Sequence, residues 1–400
     1  MEQRKRKGVK GRGVRKGGSR YEKSTAAVGA ALLILALAML LSACGKHKTE
    51  DSKGGELESA ACAAAEAYRD LLETDSRPDM DALLQRLEEL SYAAVDMAGS
   101  HPFVNADKVR TFYADKQGGT AQSLDLLRVC LDGGLVFTRF FNEENAWYCA
   151  LIRIAWEEGV PAVQYSLKYP LLELRVTEKD YLIFTCNIPD NTAASSHDGY
   201  IEPTTMIRLT PLEEQCRRYG EQYLVPIGYN YNNLFTTTWA GEDMEAVCLN
   251  DLYLSLYKAE HGAYISYFNN PYPTEDSSGI SHVPGEEFET LLMKYTCLDR
   301  EQIRVWVRYD RETDSYPVCI DGPHDGLAKI PVPEVVEVHD NGDGSMNLTV
   351  DALLVSQGTD RAFTHIVTIK PAGDGSYRVI ANQVLEAPGN ILPDYKSLLP

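Results

Sequence analysis

The runs LDLLRVCL (residues 124–131), LVFTRFF (135–141), AWYCALIRIAW (146–156), PAVQYSLKY (161–169), LLELRVTE (171–178) and DYLIFTCN (180–187) decide the fold class. They are short, rich in β-branched and aromatic residues, and strand-like in period. Asp132-Gly133-Gly134 and Glu178-Lys179-Asp180 fall between runs and supply turn chemistry, so the region reads as an antiparallel meander. Upstream the spacing becomes helical. Residues 57–74 place Leu57, Ala61, Ala64, Tyr68 and Leu72 on one face. Residues 80–98 do the same with Leu83, Leu84, Leu87, Leu90 and Ala94, and Gly99 supplies the stop. Helices followed by a meander predict an α+β layer in which the helical pair packs on a curved sheet.

Downstream, Asp190 to Thr204 is polar and reads as a linker between an N-terminal α+β domain (57–200) and a C-terminal α+β domain (201–400). Thr210-Pro211-Leu212-Glu213 combines an N-cap, a proline at the first helical position and a capping-box glutamate, with Gly220 as the end of that helix. Residues 243–259 carry Leu249, Leu252, Leu256 and Tyr257 at helical spacing. Pro284 opens a helix with Phe288, Leu291, Leu292 and Tyr295, and Asp299 caps another with Ile303, Trp306 and Val307. The chain then returns to antiparallel hairpins through SYPVCI (315–320), VVEVHDNGDGSMNLTVDALLV (335–355), FTHIVTIK (363–370) and SYRVIANQV (376–384). Asp343-Gly344 and Asp374-Gly375 mark the turns.

The front of the chain carries a different message. Ten Lys or Arg residues and two Glu precede a 16-residue apolar run from Ala26 to Leu41, and Leu41-Ser42-Ala43-Cys44 follows. A small residue before a cysteine at the end of an apolar segment is a lipobox, which predicts a lipoprotein signal peptide over 1–43 and a mature chain beginning at a diacylated (palmitate-bearing) Cys44. The run is shorter than the roughly 20 residues a spanning helix needs. A polar tether over 44–56 would keep the body within roughly 20 Å of the bilayer. The expected place is the extracytoplasmic face of the cell membrane, with lipid on Cys44 as the membrane partner.

Removing residues 1–43 leaves 29 basic and 56 acidic residues, a net charge of −27. Such a body is a poor ligand for nucleic acid or anionic headgroups. Besides Cys44 there are eight cysteines, at 62, 130, 149, 186, 216, 248, 297 and 319. An even count in an exported chain permits disulfides, but none is in a CxxC or metal-type spacing and most lie in apolar segments, so they read mostly as free, buried thiols.

Catalytic signatures are sparse. Ser255-Leu256-Tyr257-Lys258 fits S-x-x-K, in which a lysine one turn away activates a serine, but no K-T-G strand accompanies it. There is no G-x-S-x-G, H-E-x-x-H or P-loop. His339 to Gly344 resembles a calcium loop, yet aligning Gly344 with the turn glycine puts His339 and Val350 where carboxylates are needed. No catalytic residue, metal site or cofactor is therefore assigned. Tyrosines concentrate between Tyr219 and Tyr272, and flat rings with a polar tip suit sugar or peptide recognition. Tyr229, Tyr231, Asn232, Asn233 and Trp239 are the candidate ligand-binding residues, the amides for hydrogen bonds and the rings for apolar walls.

The stretches 207–239, 249–257, 284–295, 340–354 and 359–369 resemble an uncharacterised lipoprotein family of anaerobic Gram-positive bacteria, classed as a domain of unknown function. Arg208, Pro211, Cys216, Tyr223, Gly228, Tyr229, Asn232, Asn233, Phe235 and Trp239 are among the matching points, over roughly residues 120–390. Ser345-Met346 departs from the Thr-Leu of that pattern. The resemblance implies a surface lipoprotein and supplies no activity. The expectation is a lipid-anchored, non-enzymatic extracytoplasmic module that binds an extracellular ligand or protein. The alternatives are an envelope hydrolase acting on glycan or peptide, and a structural or assembly factor of the envelope.

Overall fold

A computed structural model describes residues 52–72, 77–189, 203–266, 268–272, 279–320 and 330–399. Cys44, most of the tether and most of the 190–204 linker lie outside the described residues. The fold is α+β, with seven α-helices and fourteen strands among the described residues. Leu57–Pro400 forms one compact unit.

The first layer is a seven-stranded sheet: β1 (Ala93–Asp96), β2 (Ser123–Val129), β3 (Leu135–Glu143), β4 (Ala146–Glu157), β5 (Val160–Val176), β6 (Tyr181–Cys186) and β7 (Thr204–Arg208), in sequence order. All neighbours are antiparallel except β1 and β2. The 17-residue β5 changes partner midway. It pairs with β4 as far as Pro170 and with β6 from Leu171 onward, with register shifts on both sides. That hand-over curls the sheet, because Pro170 has no N–H to continue the ladder. β7, the first element beyond residue 201, completes this sheet.

Helices α1 (Ser52–Glu66) and α2 (Met80–Glu89) cover one face. Ala61, Ala64, Ala65, Tyr68, Leu83 and Leu87 pack there against Leu127, Val129, Phe137 and Ile152. The helix predicted over 80–98 ends early, with Ser91 at φ 64°. Ala93 to Asp96 are buried on both sides and form β1 in place of the last helical turns. Such a uniformly covered run belongs to a parallel strand and carries no alternation. Helix α3 (Ala106–Gly118), not expected from the spacing, connects β1 to β2 as a parallel crossover requires. It closes the other apolar face through Val109 and Phe112 against Leu126, Phe140 and Phe184.

The second layer begins with α4 (Glu214–Tyr219). Its predicted capping box does not form. The Thr210 hydroxyl bonds instead to Asp180 at 2.5 Å and receives Arg110 Nη2 at 2.9 Å. Gly220 stays helical and leads into a π-helical turn, Gly220–Leu224, instead of ending the helix. Helices α5 (Leu249–His261), α6 (Gly285–Tyr295) and α7 (Arg300–Trp306) follow, α5 starting six residues later than the spacing predicts. The predicted Asp299 cap is present as a full capping box with Gln302. These helices pack on a five-stranded sheet in the order β11 (Val332–Asp340), β12 (Met346–Leu354), β13 (Thr359–Pro371), β14 (Tyr377–Val384), β8 (Trp239–Ala240). β9 (Ile280–Pro284) and β10 (Ser315–Cys319) make a separate antiparallel pair.

The two large sheets meet at a buried charge cluster. Lys179 Nζ lies 2.9 Å from Glu334 and 2.7 Å from Asp351. Arg208 reaches the same Glu334 oxygen at 2.7 Å, and the Tyr181 hydroxyl donates to its other oxygen. Thr364 donates to Asp351 at 2.6 Å. Beside these groups, Tyr181, Ile183 and Met206 pack on Leu353. Gly358 sits at φ +60°, and a Cβ there would come 3.2 Å from Ile183, so the β12–β13 turn approaches β6 as only glycine allows.

Removing Lys179 leaves Glu334 and Asp351 with a single nearby cation. Lys179→Met is expected to lower stability by about 2–3 kcal/mol, below the full cost of breaking a buried pair because the lysine side chain keeps 20% of its surface exposed. Urea unfolding at pH 7 measures this, and a variant as stable as the parent would show that the cluster does not hold the sheets.

Candidate functional site

An open cleft of about 530 Å³ lies between the last turn of α5 and the first turns of α6. Its floor is Tyr253, which is backed by two buried rings. Tyr253 of α5 stacks on Phe288 of α6 at 4.8 Å, and Phe288 stacks on Tyr316 of β10 at 4.1 Å. Helical spacing puts Leu249, Leu252 and Leu256 inward on α5, which brings Tyr253 into the core while Glu260 and His261 come to the rim. Gly262, at φ +79°, stops the helix and sends its N–H back to Lys258. On the facing helix, Pro284 ends β9, and Glu286 and Glu287 occupy the first turn, where negative charge complements the helix dipole.

The cleft is lined by Tyr253, Glu260, His261, Glu286, Glu287 and Lys294, together with Pro284, Thr290 and Leu291. Lys294 bonds Glu260 at 2.5 Å and the Tyr295 hydroxyl adds a bond at 3.1 Å. The Lys294 contact holds the Glu260 carboxyl below its ordinary range. Tyr272 donates to Glu287 and lies 3.2 Å from the Tyr253 hydroxyl, and burial pushes both phenols up. The rim thus carries three carboxylates against one lysine, over an aromatic floor. Such a surface accepts hydrogen bonds from ammonium and hydroxyl groups. A second open groove, about 570 Å³, runs along α3 beside Asp107, Thr111, Phe112, Asp115 and Gln122.

The residues singled out in the sequence take another place. Asn232 is 2% exposed; its amide donates to Gly228 O, Asn230 O and the Ser255 hydroxyl, and its carbonyl receives Leu234 N at 3.0 Å. Asn233 donates to Thr237 Oγ1 and Ala246 O and accepts from Cys248 N, which fixes the start of α5. Trp239 donates its indole N–H to Leu234 O at 2.9 Å. Tyr231, at φ 59°, packs edge-on to Tyr264. These side chains hold the 225–247 loop together, and the cleft is lined by other residues.

Tyr229 is buried and its hydroxyl lies 2.7 Å from His365 Nε2. His365 Nδ1 lies 2.6 Å from Asn382 Oδ1, and Asn382 Nδ2 donates to Thr237 O at 2.7 Å. The chain of donors runs from tyrosine to a neutral imidazole to amide to backbone, and every member is satisfied. Ser255 is fully buried, donating to Asn230 O at 2.7 Å, while Lys258 lies over the Tyr264 ring. The serine–lysine nucleophile is removed by that burial. Among the described residues no three or more His, Cys, Asp or Glu side chains are grouped to hold a metal ion.

Nothing in the local spacing distinguishes Glu260, Glu286 and Glu287 from ordinary helix-end charges, so the cleft is illegible until α5 and α6 are docked. The tyrosine-rich stretch is the signal that points to it, through Tyr253 and Tyr272.

Burial pushes His365 down to about 4. An unfolded histidine titrates near 6.5, so between those values the unfolded chain binds the proton and the folded chain does not. The stability from this group is complete above about pH 6.5 and falls by about 3 kcal/mol as pH drops toward 4. Urea midpoints across pH 7 to 4.5 are expected to decline with this slope and to flatten in His365→Gln. An unchanged slope in that variant would assign the decline to other groups.

No curated protein and no solved structure matches the chain. One family's sequence pattern covers residues 54–397, which includes both sheets, the cleft and the charge cluster between the sheets. On that match the chain belongs to the family of unknown function DUF6070.

Proposed function

We propose that this protein is a lipid-anchored extracytoplasmic binding module whose body takes a cationic, amine-bearing ligand in the cleft between α5 and α6. The observation that carries the reading is the cleft itself: about 530 Å³, within the usual range of ligand sites, with Glu260, Glu286 and Glu287 over a tyrosine floor. The lipobox at Leu41 to Cys44 supports the anchor. The net charge of −27 on the body after residue 43 supports a cationic partner, because a negative field concentrates positive ligands near the rim. Binding is favoured over the serine–lysine form of hydrolysis because Ser255 is inside the core, where no substrate reaches it.

Two measurements test the two halves. Intact mass of the membrane fraction is expected to show a species beginning at Cys44 with added acyl mass, absent in Cys44→Ala; an unprocessed chain would remove the anchor. Titration of the full chain with a lysine-rich tetrapeptide and with an amino sugar reads the cleft. Glu286→Lys combined with Glu287→Lys is expected to weaken binding by roughly tenfold or more, about 1.4 kcal/mol. The amides Asn232 and Asn233 serve as the contrast, since their removal is expected to act through stability and leave the cleft chemistry in place. Affinity unmoved by charge reversal would rule out the cleft.

A further inference from the structure

At the point where β5 changes partners the ladder of the seven-stranded sheet is interrupted, and two cysteines stand on either side of it. Cys149 of β4 is opposite Tyr169, and Cys186 of β6 is opposite Leu171. Tyr169 and Leu171 are two positions apart on β5 and share a face, so both thiols point into the same apolar cluster with Phe140 and Phe184. The sheet curls here, which brings β4 and β6 together across the bend. The Cys149 and Cys186 side chains are hydrogen-bonded to one another, and they are 0% and 3% exposed.

We infer that Cys149 and Cys186 are a disulfide site that locks the curl of the sheet when the chain folds in an oxidising compartment. The structure has all eight described cysteines as free thiols. In that state the bend at Pro170 is spanned by non-covalent contacts, among them Asn187 N–H to Pro170 O at 2.9 Å and the edge-on Phe140–Phe184 pair. A covalent link would close a loop of 37 residues and restrict the unfolded chain.

The surroundings favour the chemistry. Arg128 of β2 acts on both sulfurs by its charge, and its Nε is buried with no hydrogen-bond partner. A cation so placed stabilises a thiolate. The Cys186 thiol is held below its ordinary value by the hydrogen bond from Cys149 and by Arg128, while Cys149 is pushed up. Cys186 is therefore the first attacker. Its thiolate attacks a sulfur of an external disulfide and releases one thiol, leaving a mixed disulfide on Cys186. The Cys149 sulfur, losing its proton, then attacks Cys186 and releases the second thiol. The two protein thiols lose two electrons and two protons, and the external disulfide becomes two thiols. The exchange needs both thiols beside Arg128 yet still open to the oxidant, which places it as β6 docks on β4, and burial in the finished fold shields the product from reduction afterwards. Cys62, Cys130 and Cys248 bond other groups: Pro161 O, Arg128 O and Asp251 respectively.

The inference rests on the extracytoplasmic reading only for its source of oxidant. The test uses the full chain, taken from cells in acid, denatured, blocked with iodoacetamide, then reduced, labelled with a heavier reagent and digested. The expected result is the heavy label on Cys149 and Cys186, the light label on the other cysteines of the body, and a cross-linked peptide pair in the unreduced digest. The same digest shows whether the chain begins at an acylated Cys44. If it does and both cysteines carry the light label, the inference is overturned. If the chain is unprocessed, the purified reduced protein is refolded with glutathione disulfide: formation of the 149–186 pair sustains the site, and its failure to form overturns it. Cys149→Ser with Cys186→Ser is expected to lower the melting temperature of oxidised protein to that of reduced wild type. A double variant that still shows a redox-dependent melting temperature would locate the effect elsewhere.

Discussion

The Glu334 carboxylate is the constraint on which the arrangement of the two sheets depends. It is 6% exposed and sits on β11, and a carboxylate so removed from water needs close cations and hydrogen bonds. Those come from another layer: Lys179 from the β5–β6 turn, Arg208 from β7 and Tyr181 from β6. Each donor has its own place along the seven-stranded sheet, so a shift of either sheet would break at least one contact. Lys179 extends the cluster to Asp351 on β12, which Thr364 on β13 ties in turn. Apolar packing between the layers is small here, with Tyr181, Ile183, Met206 and Leu353 as its main members. Apolar contact is nondirectional, whereas charge pairs have preferred partners. The cluster thus sets register more than it adds stability.

Polar satisfaction continues from that cluster into the helical layer. His365 neighbours Thr364 on β13, and its bonds to Tyr229 and Asn382 tie the 225–247 loop to the sheet. The loop in turn fixes α5 through Asn233 and Cys248 and supports it from beneath through Asn232 and Ser255. The Tyr253–Phe288–Tyr316 stack then sets α6 against α5. The cleft is the outer edge of this series of contacts, and its rim groups are exposed while its floor is held from behind.

Much of the fold was legible because the meander and the terminal hairpins show strand-like runs with turn residues between them. The departures have physical causes. Ala93 to Asp96 look helical beside Leu87 and Leu90 because a strand buried on both faces has no period of its own. Thr210 reads as an N-cap, yet Asp180 and Arg110, distant in sequence, compete for its hydroxyl. The 17 residues of β5 read as two strands because Pro170 interrupts them, and the structure uses that interruption as a bend.

The site was less legible, for a reason that concerns polar groups in general. Tyr229, Asn232, Asn233 and Trp239 combine hydrogen-bonding capacity with rings, and that combination serves a ligand or a loop equally well. What separates the two is whether the donors and acceptors are already filled. Asn232 makes three donor contacts and accepts from Leu234, which leaves little capacity for a guest. Glu286 shows the opposite pattern: an acidic side chain at a helix start, unremarkable in sequence, that faces the cleft once α5 is in place, beside Glu287, which keeps one carboxylate oxygen for Tyr272. Residue type proposes a site, but the count of hydrogen bonds already made decides which polar side chains remain available to meet a ligand.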